Sequence, residues 1–131
     1  MNQEELIKKI IAAVYEVQRH LKPGYLEKVY RNALVVELNL MGIKAEAEQP
    51  IVIPYKGHLI GEYFADILVE DTVILELKAV NELNQAHEVQ LVNYLNGTGR
   101  DNGLLINFGV FPADIKRKFR LYRPPRRTSQ S

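Results

Sequence analysis

Asp66 and the run Glu76-Leu77-Lys78 set three charges inside two otherwise apolar β-strand patterns, and that conflict limits the folds open to this chain. Burial of charge without partners is costly, so such charges bind a metal, pair with each other or do chemistry. Val73-Ile74-Leu75-Glu76-Leu77-Lys78 is β-branched and aliphatic and is expected to form a strand. Alternation then puts Ile74, Glu76 and Lys78 on one face and Val73, Leu75 and Leu77 on the other. Residues 62–69 carry the preceding strand pattern. With Glu70-Asp71-Thr72 as a three-residue hairpin loop, Val69 pairs with Val73, and the register carries Asp66 to a position opposite Glu76. Opposed residues share a face, with Cβ atoms about 4.5–5.5 Å apart. Two carboxylates there repel unless a cation lies between them. A hard divalent ion with oxygen ligands, magnesium or manganese, resolves the conflict. Lys78, on the same face, is placed to hold or activate a water on that metal.

The remaining composition narrows the function classes. The chain has 131 residues, the size of one domain. No apolar run reaches the ~18 residues of a membrane span, and the acidic start Met-Asn-Gln-Glu-Glu lacks a secretory plan. The absence of cysteine removes disulfides, thiolate chemistry and cysteine zinc sites, and fits a cytoplasmic protein. Seven of the 17 basic residues fall within positions 116–127, while all 16 acids precede residue 115. Residues 1–115 therefore carry −6 and the C-terminal segment +7. Such a basic segment suits phosphate contact, and Lys116, Arg117 and Arg120 are the candidate contacts. The plain alternative is a solubilising tail over residues 123–131.

Apolar spacing at i+3 and i+4 predicts a helix over residues 3–21, interrupted by Lys22-Pro23-Gly24, and a second from Tyr25 to Met41, ended by Gly42. Strands are expected over Lys44–Glu48 and Ile51–Tyr55, with Pro54 marking an edge, and over 59–69 and 72–78. A third helix is expected from Leu83 to Leu95, closed by Asn96-Gly97, then a buried strand from Gly103 to Phe108. Phe119 to Tyr122 is a short last strand or the start of the tail. A strand reached through a crossover helix lies parallel to a strand of the same sheet. The result is a mixed sheet flanked by helices, in a single domain over residues 1–122.

Several further residues fall on the site by spacing. Glu27 and Tyr30 share a helix face with Leu34, which brings Glu27 towards the interior; the alternative is a first-turn glutamate favoured by the helix dipole. Tyr30 is expected to pack, with its hydroxyl reaching the site. Gln90 and Tyr94, four apart, share a face with His87. A buried Gln90 needs partners, which a metal-bound water or a phosphate supplies; a structural hydrogen bond is the alternative. The three histidines show no zinc-ligand spacing, and no phosphate-binding loop, dinucleotide fingerprint or serine-hydrolase elbow is present.

The run Gly24-Tyr25-Leu26-Glu27-Lys28-Val29-Tyr30 is a G-x-x-E-x-x-Y pattern. Asp66 and Glu76-x-Lys78 follow, then Gln90-x-x-x-Tyr94, then Gly103-Leu-Leu-Ile-Asn-Phe. In that order they resemble the GxxExxY family, within the RecB-like branch of the PD-(D/E)xK nuclease superfamily, over about residues 5–120. Ala65, where many members have proline before the aspartate, is a departure at a variable position. The resemblance implies a restriction-endonuclease-like α/β (α+β) fold, an αβββαβ core with an extra N-terminal helix. It implies Asp66 and Glu76 as metal ligands with the Leu77 carbonyl as a third, Glu27 as an added carboxylate, Lys78 beside the attacking water, and Gln90 and Tyr94 lining the site.

The expected activity is metal-dependent hydrolysis of phosphodiester bonds in nucleic acid, DNA in the first instance. The rival is a catalytically inactive module of the same fold that binds nucleic acid or a protein. The small size leaves little room for both a groove and specificity elements, which points to a homodimer or a larger partner.

Overall fold

A computed structural model describes residues 1–121; Tyr122 and the segment 123–131 lie outside the described residues. Eight elements follow one another: α1 (Gln3–His20), α2 (Glu27–Leu40), β1 (Ala45–Tyr55), β2 (His58–Val69), β3 (Val73–Lys78), α3 (Gln85–Thr98), β4 (Asn102–Asn107) and β5 (Asp114–Phe119). The five strands form one sheet in the order β1-β2-β3-β4-β5. Only β3 and β4 are parallel, as the crossover through α3 requires. Among the described residues no helix is long and apolar enough to cross a membrane.

Two cores sandwich the sheet. The α1 stripe Leu6, Ile7, Ile10, Ala13, Val14 and Val17 joins Tyr30, Leu34 and Leu38 of α2 against Val73, Leu75 and Leu77. On the other face Leu91 and Leu95 of α3 pack on Ile74, Leu105 and Leu68. The alternation expected for β3 therefore holds, and the strand is covered on both sides. This is the α+β sandwich of a restriction-endonuclease-like domain.

Several boundaries differ from the expectation for physical reasons. The two strands expected over residues 44–55 are one strand, with Glu48 at φ 54° inside it. Its edge position tolerates Pro50 and Pro54, and the register slips between Ile53 and Pro54. Helix α3 runs through Asn96-Gly97 and ends at Gly99, which takes the left-handed conformation (φ 73°). A side chain at Gly97 would meet Ile53 at 3.0 Å, so this glycine permits close helix–sheet approach instead of ending the helix. The last strand is Asp114–Phe119, not 119–122: its charged residues mask a strand at the sheet edge, where lysine and arginine guard against further pairing. Leu26, on the apolar spacing that predicts the second helix, is nonetheless 70% exposed.

The ends of β3 and β4 are tied together by Asn107, which is 1% exposed. Its Oδ1 accepts the Val80 and Gly109 N–H groups at 3.0 and 2.9 Å, and its Nδ2 donates to the Val80 carbonyl at 2.9 Å. The Phe108 N–H donates to the Lys78 carbonyl at 2.8 Å. A Cβ at Gly109 would lie 2.2 Å from the Val80 oxygen, so only glycine fits there. Asn107→Ala removes three buried hydrogen bonds and should lower stability by about 2–3 kcal/mol. The check is the urea midpoint at constant slope.

Candidate active site

The β2–β3 hairpin closes with Glu70 and Asp71 both at positive φ (51° and 59°) and Thr72 N–H donating to the Val69 carbonyl at 2.9 Å. The register is the one expected from the loop: Val69 faces Val73, Leu68 faces Ile74, and Ile67 faces Leu75. The ladder then stops, one pair short of Asp66 and Glu76. In place of strand pairing, the Asp66 Oδ2 accepts the Leu77 N–H at 2.7 Å. The Asp66 backbone in turn draws the Glu76 carboxyl towards its ionised form. Asp66 thus reaches β3 next to Glu76 through a side-chain bond that replaces the ladder, not as the directly opposed cross-strand pair expected.

Beyond this break β2 changes sides. Ile67 and Val69 pack in the α1–α2 core, whereas Ala65, two residues back, packs in the α3 core with Ile51. Glu48, which the β1–β2 register would set opposite Asp66, is unpaired and left-handed. A strand that twists this sharply exposes the end of β3, where Glu76 and Lys78 sit.

Burial pushes the Glu76 carboxyl up to about 7, against the opposing pull of the Asp66 backbone and the Lys78 ammonium. Burial also raises Asp66, and the Glu27 charge adds to it; the Leu77 N–H, Lys78 and Arg31 act the other way. The Glu76 Oε1 is buried without a hydrogen-bond partner. Glu27 is exposed in the first turn of α2, not interior as its helix face suggested, yet its charge reaches both acids. Among the described residues no three His, Asp or Glu side chains close around a point as a metal cage does. Magnesium does not need one: it is held by one or two carboxylates, with water and phosphate oxygens completing its shell. An orphaned buried carboxylate oxygen and two carboxyls starved of counter-charge fit such an ion. The fitting residues are Asp66 and Glu76, with Glu27 at the rim.

The other residues singled out by spacing fall differently. Tyr30 is fully buried: its hydroxyl donates to the Lys22 carbonyl at 2.7 Å and accepts the Tyr25 N–H at 3.1 Å, and its ring stacks on Phe108 at 4.7 Å. It holds the α1–α2 turn and cannot touch a substrate. Gly24, at φ 128°, makes that turn possible. Gln90 is exposed rather than buried and donates to the Tyr94 hydroxyl at 3.0 Å. The Tyr94 ring stacks on Tyr63 at 3.4 Å. The His87 Nδ1 accepts the Asn84 N–H at 3.3 Å in the capping box of α3.

The basic cluster divides. Arg117 forks onto both Glu4 oxygens at 2.8 and 2.7 Å and reaches Asn102 at 2.9 Å. Arg120 pairs with Asp101 at 2.8 Å. Arg120 lies past the end of β5, at the far end of the sheet; Arg117, one register row from Glu76 through Leu104, turns its guanidinium towards that end, to Glu4 and Asn102. They are structural and do not join the site. Lys116 shares a register row with Glu76 through Leu105, two strands and about 10 Å away, and lies 3.9 Å from Asp114. A cavity of about 560 Å³ also lies at that far end, lined by Glu4, Asp71, Arg100, Asn102 and Arg117 among others.

Two residues near the site escaped the sequence reading. Arg31 lies four residues after Glu27, its charge acts on Asp66, its guanidinium is 3.8 Å from Glu48, and its Nε is buried without a partner. Its helical spacing from Glu27 was the available signal. Tyr63, whose hydroxyl is likewise buried and unpartnered, gave none, because strand alternation inverts at the break.

The family model for the PD-(D/E)XK nuclease superfamily matches residues 4–118. No curated protein matches the chain. No solved structure matches it.

The raised acids have a consequence for stability. In the folded state Glu76 holds its proton up to about pH 7, whereas unfolded it releases it near 4.5, so the folded protein binds the extra proton in that window. Stability in chelator should be highest at the acid side of the window and fall, by a few kcal/mol at most, as pH rises through it. Glu76→Gln should flatten the fall. Thermal melts between the two pH values test this, and a wild-type midpoint that rises with pH would refute it.

Proposed function

The chain belongs to the PD-(D/E)XK nuclease superfamily, and from that membership and the hairpin charges we propose that it is a metal-dependent nuclease hydrolysing phosphodiester bonds, with DNA as its substrate. The observation that carries the reading is the buried Glu76 Oε1 without a partner beside Asp66 and Lys78. The motif order Gly24-x-x-Glu27-x-x-Tyr30, Asp66, Glu76-x-Lys78 and Gln90-x-x-x-Tyr94 supports placement in the GxxExxY family and the RecB-like branch.

Asp66 and Glu76 are the metal ligands in this reading, with Glu27 at the rim and the Leu77 carbonyl as a third protein oxygen. The ion is magnesium or manganese; bound there it supplies charge for the developing phosphorane and acidifies a water. Lys78 holds the attacking water and adds positive charge beside it. Asp66 and Glu76 stay ionised when their pKa values fall in the field of a cation. Tyr94, fixed by Gln90 and Tyr63, flanks the site on the α3 side. Arg31, whose charge acts on Asp66, is suited to stabilise a non-bridging phosphate oxygen. A homodimer or a larger protein partner, and action in the cytoplasm, complete the proposal. A binding-only module has no comparable use for a buried, unpartnered carboxylate oxygen next to a lysine.

Lys78→Ala and Glu76→Ala should each lower magnesium-dependent cleavage by at least about 100-fold while leaving the circular dichroism spectrum unchanged. Cleavage retained in both folded variants would remove this site from the reaction. The three arginines of 123–131 generate a second expectation. Deleting that segment should weaken DNA binding and reduce the slope of log affinity against log salt by about two to three. An unchanged slope would assign the segment no phosphate contact.

A further inference from the structure

The α1–α2 turn carries a feature that the hydrolytic chemistry does not use. A cavity of about 440 Å³ is lined by Tyr25, Leu26, Glu27, Lys28 and Ala79. Glu27 is the rim carboxylate of the acid cluster, and Ala79 directly follows Lys78, so the cavity opens beside the reacting groups. Its floor is apolar and exposed: Tyr25 is 50% and Leu26 70% accessible.

Neither exposure follows from folding needs. Leu26 is the N-cap of α2 and makes no side-chain hydrogen bond there. Serine, threonine, aspartate or asparagine at that position would cap the helix, and leucine forgoes this. A local rule broken without structural gain marks a functional position. Tyr25 is held in place: its N–H bonds the Tyr30 hydroxyl at 3.1 Å, and its ring lies edge-on to Tyr30 at 6.0 Å and 81°. Tyr30 stacks on Phe108, whose N–H bonds the Lys78 carbonyl at 2.8 Å. The aromatic shelf and the lysine thus share one rigid support, so a group bound on the shelf keeps register with the reacting phosphate.

We propose that Tyr25 and Leu26 form a shelf for an unpaired nucleobase next to the cleaved phosphate, so that the preferred substrate is single-stranded, or unpaired at the point of cleavage. This rests on the nuclease reading above. A base inside a duplex has both faces stacked already and nothing to offer such a shelf. An unpaired base has a free π face, and the stacking is tolerant of sequence because every base has one. Lys28, on the same wall, is placed for the strand's backbone.

The test uses the full chain carrying Lys78→Ala, to block turnover, with two labelled probes: an oligodeoxythymidylate and a hairpin duplex. Adding Tyr25→Ala should weaken single-strand binding by about 5- to 100-fold and leave duplex binding within about twofold, while Tyr25→Phe should retain both. Leu26→Ser provides a separate readout: it should raise or preserve the melting temperature, through the new cap, and still weaken single-strand binding. With Lys78 intact, Tyr25→Ala should lower the cleavage selectivity for single strand over duplex. Single-strand affinity unchanged in both Tyr25→Ala and Leu26→Ser, with wild-type cleavage intact, overturns the shelf and leaves the nuclease standing. Equal losses on both probes also overturn it. Failure of the wild type to bind or cleave any nucleic acid overturns both readings.

Discussion

The bond from the Leu77 N–H to the Asp66 carboxylate is the constraint on which the site depends. A side chain occupies the place of a strand ladder, so β2 cannot follow β3 past Leu75. The Leu77 N–H does not go unpaired, because the carboxylate accepts what a neighbouring strand would have taken. What changes is geometry. β2 swings away, its faces exchange partners beyond Asp66, and the end of β3 is left open with Glu76 and Lys78 on it. Ligands in mixed α/β sheets bind outside the carboxyl ends of parallel strands for this topological reason, and β3–β4 is the parallel pair here.

An opening of this kind is electrostatically unfinished. Three carboxylates face two cations, and burial favours the neutral acids. The fold tolerates this because the surrounding sandwich is conventional: one core of α1 and α2 on one face, one of α3 on the other, both dominated by fully buried aliphatic side chains. Stability is carried there and spent at the hairpin, the usual distribution when a site is held in a state that a ligand relieves.

The Gly-x-x-Glu-x-x-Tyr run separates into a support and a working part. Gly24 allows the turn, and the Tyr30 hydroxyl bridges two backbone groups across it, so that Glu27 and the exposed pair Tyr25 and Leu26 are presented over the end of β3. The same division recurs at the other end of the constellation. Asn107 and Gly109 do no chemistry but lock the chain on either side of Lys78. Asp66, Tyr30 and Asn107 thus each fix a chain segment with one polar side chain.

Residue identity along the chain determined the layered α+β architecture, the parallel relation of β3 and β4, the hairpin register and the proximity of Asp66 to Glu76. Each follows from a period, a loop length or a crossover, all of them local properties of sequence. The tertiary structure decided what local rules do not reach. It took Tyr30 out of contact with solvent, because its hydroxyl is consumed by a turn eight residues away. It turned Arg117 to Glu4 and Asn102 and carried Arg120 to the far end of the sheet, because β5 is a strand whose charges hide its alternation and whose direction reverses that of β4. It brought the charge of Arg31 to bear on Asp66 and stacked Tyr63 on Tyr94. Burial and strand divergence are sums over residues distant in the chain, and these sums, not the pattern around any one residue, set which charges are exposed, which are paired and which remain for a substrate.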